Sequence, residues 1–171
     1  MTAKLSRRIV TAAAVTGAVA AACAGNASAQ GNRTCTWGGS PAAPTGVNRN
    51  FRGINNTPST RPIRFHATGP LAGDCKGKLV FDGVMDAGAT CGYITFHANV
   101  HGIRGVAKVV GVAAAGLSPA RLYDRRGNLV GSENAQFLAD RTVVLACNST
   151  RGVVRNIFSS VIELSGQPRI G

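Results

Sequence analysis

Two histidines, His97 and His101, stand four residues apart where Ile94, Phe96, Ala98 and Val100 alternate with Tyr93, Thr95, His97, Asn99 and His101. On a helix, a pair so spaced can hold zinc, because both rings face one side. Strict alternation specifies a strand instead, and four strand residues span about 13 Å, too far for both rings to reach one ion. What remains is a polar row, Tyr93, Thr95, His97, Asn99 and His101. It suits shallow recognition or the wet face of a half-exposed sheet. In a hydrolase, His97 or His101 would be the base.

The other side chains form no recognisable catalytic pattern. The seven acids, Asp74, Asp82, Asp86, Asp124, Glu133, Asp140 and Glu163, are scattered. No nucleophile elbow, phosphate loop or His-Glu-x-x-His motif occurs, so no metal or cofactor is expected. Arg125-Arg126 falls in the turn Asp124-Arg125-Arg126-Gly127-Asn128, a hairpin tip that could present an arginine to a trypsin-like protease.

Charge offers a second kind of chemistry. No acid precedes Asp74, and residues 30–73 carry Arg33, Arg49, Arg52, Arg61 and Arg64, a net +5. Trp37, Phe51 and Phe65 lie among them, an interleaving that can stack on bases or sugar rings and attract polyanions. Arg49, Arg52, Arg61 and Arg64 are therefore candidate binding residues, together with the polar row. The turn formers of Gly38-Gly39-Ser40-Pro41 and Asn55-Asn56-Thr57-Pro58 predict mostly irregular chain over 30–61.

Residues 1–29 have the three parts of an export signal: Lys4, Arg7 and Arg8, an uncharged stretch from Ile9 to Ala24, and Ala27-Ser28-Ala29 as the cleavage site. Cutting there starts the mature chain at Gln30. A cut before Cys23 would leave a lipid-anchored protein, but Ala20 stands where that signal normally carries a larger apolar residue. Removal of 1–29 leaves Cys35, Cys75, Cys91 and Cys147, an even set in an oxidising compartment, and two disulfides are expected. Of three connectivities, Cys35–Cys75 with Cys91–Cys147 is preferred, because the first would tie the N-terminal segment to the core.

From residue 62 the chain reads as short strands between turns, over 63–67, 78–84, 92–101, 106–113, 120–123, 129–132, 142–147 and 157–164. In the last of these, Val153, Val154, Ile157, Phe158, Val161 and Ile162 also fit helical spacing, but β-branching favours a strand. The expectation is an all-β domain over 62–171, an antiparallel β-sandwich or barrel of about seven or eight strands, stapled by disulfides. The expected function is binding or a structural part at the cell envelope or in the extracellular space, without enzymatic activity. An anionic polymer or an extracellular protein is the partner its charge fits, and no stable membrane span is expected. The alternatives are a protease inhibitor presenting Arg125-Arg126 and a small secreted hydrolase using His97 or His101.

Overall fold

Strand after strand repeats one rule: apolar residues on alternate positions, small or polar ones between. Ile63, Phe65, Ala67 and Leu71 of one segment are buried, as are Leu79, Phe81 and Met85 of the next, while Arg64, Lys78 and Asp82 are exposed. The computed structural model describes residues 31–137 and 140–166, so the expected export signal lies outside the described residues. The strands are β1 (Arg33–Trp37), β2 (Gly39–Ser40), β3 (Ala43–Pro44), β4 (Gly46–Ile54), β5 (Ile63–Gly73), β6 (Gly77–Met85), β7 (Tyr93–His101), β8 (Lys108–Ala114), β9 (Leu117–Tyr123), β10 (Leu129–Phe137) and β11 (Val153–Leu164). One helix, α1 (Arg141–Cys147), precedes β11.

From β4 to β11 each strand pairs antiparallel with the next, β10 with β11 across the intervening α1, and β11 returns to pair with β4. The sheet thus closes into an eight-stranded antiparallel barrel. β1 continues the line of β4: its residues pair with Ser160–Leu164 of β11 and with Leu71–Gly73 of β5, while β4 pairs with the earlier part of β11. The small hairpin β2–β3 is an excursion between the two. It is pinched off where the Gly38 carbonyl accepts hydrogen bonds from the Thr45 and Gly46 amides.

Two expectations are corrected. Residues 30–61 are not mostly irregular: β1 and β4 complete the barrel, and the inward positions of β4, Gly46, Asn48 and Asn50, are residue types that read as turn formers. Residues 142–147 are helix rather than strand. The Asp140 carboxylate caps α1 by accepting from the Val143 amide at 2.8 Å, and no helix residue is fully buried to demand a sheet partner. Strand is the outcome for 153–164, and the preferred disulfides, Cys35–Cys75 and Cys91–Cys147, both form. Each is worth about 2–5 kcal/mol.

One end of the barrel is packed solid by Trp37, Leu79, Val109, Leu122 and Ile162, all essentially inaccessible. Trp37 lies against β4 and β5 where a Cβ at Gly46 or Gly69 would sit 2.6 or 2.9 Å from its ring atoms. Only glycine fits at those two strand positions. Trp37 Nε1 donates to the Leu79 carbonyl at 3.1 Å, and its ring meets Phe81 and Phe158 with centroids 5.4 and 4.6 Å apart. Phe81 and Phe158, resting on Trp37, floor the remaining half of the barrel.

Candidate small-molecule site

Above that floor the interior is not filled. A cavity of about 390 Å³ opens at the barrel end where β4, β6, β8 and β10 finish. An eight-stranded barrel is about wide enough either to be plugged by its own side chains or to hold one small ligand. This one is plugged at one end and leaves a cavity at the other. The apolar wall is chiefly Phe65, Phe81, Met85, Phe96, Phe137 and Phe158. Phe65 stands edge-on to Phe96 at 6.0 Å, and Phe137 lies 4.7 Å from Phe158, so the rings brace one another.

A few polar groups interrupt this wall. Glu133 points inward from β10 in phase with Ala135 and is only 5% exposed. Burial pushes its carboxyl up to about 7, since a desolvated carboxylate is costly. The Ser160 hydroxyl on β11 opposes that shift, though its geometry falls short of a full hydrogen bond. Across β11, Asn50 Nδ2 donates to the Val153 carbonyl at 2.9 Å, which turns the Asn50 oxygen toward Asn48. Asn48 Nδ2 must then face Asn50 Oδ1 at 2.8 Å, and it also donates to Asn156 Oδ1 at 2.9 Å. The chain of amides leaves Asn48 Oδ1 buried without a donor.

At the mouth, α1 contributes Val143 and Val144 to the rim. It is moored by Cys91–Cys147, by the Asn56 amide to the Cys147 carbonyl at 3.1 Å, and by Asn56 Nδ2 to Asn148 Oδ1 at 2.8 Å. The linkage fixes the helix to the loop that follows β6.

No known protein family, curated protein or solved structure matches this chain.

The residues singled out from sequence lie elsewhere. Tyr93, Thr95, His97, Asn99 and His101 occupy the convex outer face of β7, and none lines the cavity. His97 Nδ1 is 3.9 Å from Asp86 Oδ1, whose other oxygen accepts from Thr95 Oγ1 at 2.7 Å. Arg125 and Arg126 sit at the tip between β9 and β10, in a tight turn held by the Asp124 carboxylate accepting from the Arg126 and Asn128 amides at 2.8 and 2.9 Å. Arg49, Arg52 and Arg64 are exposed on the outer face of β4 and β5, and Arg61 is exposed just before β5. Of the three aromatics among them, Trp37 and Phe65 are core, and only Phe51 is exposed, with Arg64 5.5 Å above its ring.

The cavity residues carried little sequence signal. Glu133 shares its phase with Ala135 and Phe137, but the register shift near Gly131 breaks the alternation from Leu129 that would have marked it as inward.

Proposed function

We propose that this protein is a small-molecule-binding barrel, acting without chemistry of its own in the extracellular space or at the cell envelope, with its ligand held in the open-ended cavity. The observation that carries this reading is an unfilled interior of about 390 Å³, walled by phenylalanines and interrupted by a few buried polar groups. Natural small-molecule sites have this size and makeup. The two disulfides support an oxidising compartment. An enzymatic reading would centre on Glu133, since none of the three histidines lines the cavity.

The neutral fluorophore N-phenyl-1-naphthylamine should brighten on binding. Ala135→Trp, which places an indole inside the cavity, should abolish the effect while far-UV circular dichroism shows the strands intact. No brightening in the wild type, or equal brightening in the variant, sets the reading aside.

One observation favours a second reading, recruitment of an anionic polymer to the outer wall. Arg155 of β11 is the direct cross-strand partner of Arg49 on β4, both are exposed, and no carboxylate pairs with either among the described residues. Like charges set opposite each other cost stability. Replacing Arg49, Arg52, Arg64 and Arg155 by Gln should weaken binding of polyphosphate and flatten its salt dependence. Binding that ignores both salt and substitution would dismiss it.

A further inference from the structure

We propose that the cavity selects an apolar organic cation: a hydrophobic amine whose ammonium group is held by the Glu133 carboxylate, with its hydrocarbon body among the phenylalanines. This inference rests on the small-molecule reading above and names the ligand class for the same cavity.

The argument is a balance of donors and acceptors. Glu133 brings a carboxyl group into the wall, and among the described residues no Lys, Arg or His lines the cavity to compensate it. A buried acceptor left unmade costs about 1–3 kcal/mol, and an ionised one more. Glu133 therefore lacks a positively charged donor, which an ammonium group supplies. A carboxylic acid would add a second negative charge beside Glu133, and an alcohol brings one donor and no charge. The aromatic walls favour the same choice, because ring faces attract cations.

Among the described residues, nothing else that titrates faces Glu133. On β9 its neighbours toward the interior are Ala120 and Ser118, and on β11 Ser160 and Ile162. Arg121 and Glu163, on those same flanking strands, are exposed on the opposite, outer face. Cys91 and Cys147 at the rim are joined to each other.

The test displaces N-phenyl-1-naphthylamine with three probes of equal chain length: octylammonium, 1-octanol and octanoate. At about pH 8 octylammonium should bind tightest, and Glu133→Gln should weaken it by about tenfold to a hundredfold, the worth of a charge-assisted hydrogen bond, while 1-octanol changes little. A second measurement needs no variant. Octylammonium is charged throughout, so its affinity for the wild type should rise between about pH 6 and pH 8 while that of 1-octanol stays flat. Octanol uptake without preference for the amine, octanoate binding as tightly, or a flat profile for octylammonium overturns the cation assignment and leaves the cavity reading standing. Uptake of none of the three removes both.

Discussion

Glu133→Gln should make the unliganded protein more stable above neutral pH, although it deletes a buried hydrogen-bonding acid. In the folded chain the carboxyl is held at about 7, against an ordinary 4.5. Between those two pH values the folded state keeps a proton that the unfolded state has released, so stability falls as pH rises through this window. The stabilising side is full below about 4.5, and the loss is complete above about 7. With roughly 1.4 kcal/mol per unit of pKa, the loss amounts to about 3 kcal/mol. Glutamine has nearly the same shape and no charge to desolvate. The variant should therefore gain up to about 3 kcal/mol at pH 8, a rise in Tm of roughly 6–12 °C, and match the wild type near pH 4. Urea unfolding of both proteins across this range isolates the effect, because every other titration cancels in the difference. Parallel profiles, or a variant weaker at pH 8, would show that Glu133 is better solvated than its burial indicates.

Trp37→Ala should do the reverse on a larger scale. The ring is wholly buried, packs beneath Phe81 and Phe158 of the cavity wall and hydrogen-bonds the Leu79 carbonyl. Removing it opens a hole where Gly46 and Gly69 offer no side chain to collapse into, so relaxation is poor. The expected cost is about 3–5 kcal/mol, plus about 1–3 kcal/mol for the orphaned carbonyl, a large part of the 5–15 kcal/mol that holds a typical domain together. Trp37→Phe should cost less than half of that. Phe51→Ala, a ring 69% exposed on the outer wall, should change stability only slightly. Denaturation midpoints of the three variants give the comparison, and a Trp37→Ala protein within 1 kcal/mol of wild type would refute the role assigned to the ring.

How much of this was legible in the sequence depended on which residues faced inward. Where inward positions were apolar, as in Ile63, Phe65 and Ala67 or in Leu79 and Phe81, alternation exposed the strand, and the even set of four cysteines after residue 29 exposed the staples. Where the barrel turned glycine and asparagine inward, the same alternation read as loop. Asn48 and Asn50 look like turn formers on paper, yet they are buried members of β4 whose amides are paid off by one another and by the Val153 carbonyl. Closure is a long-range fact: nothing local in 46–54 says that it pairs with 153–158. The outer face drew attention because its charges stand out, while the cavity is made by what its residues do not fill. TVVLAC at 142–147 has strand-like composition, but a capping aspartate and a disulfide at its end hold it as a helix beside the mouth.

The seam between β4 and β11 also sets the order of events in folding. Most neighbours around the barrel are joined by short turns and can zip up as hairpins within microseconds, whereas Asn48 and Asn156 meet across 108 residues of chain. Such a non-local pairing is slow, because the loop entropy is lost before any contact rewards it. Until the seam forms there is an open, curled sheet with two bare edges, able to join the edge of another molecule. The pocket does not exist in that sheet. During refolding with the disulfides intact, fluorophore uptake should thus lag behind the circular dichroism of the strands and track the slowest phase, and crowding should divert chains into aggregates before that phase rather than after it.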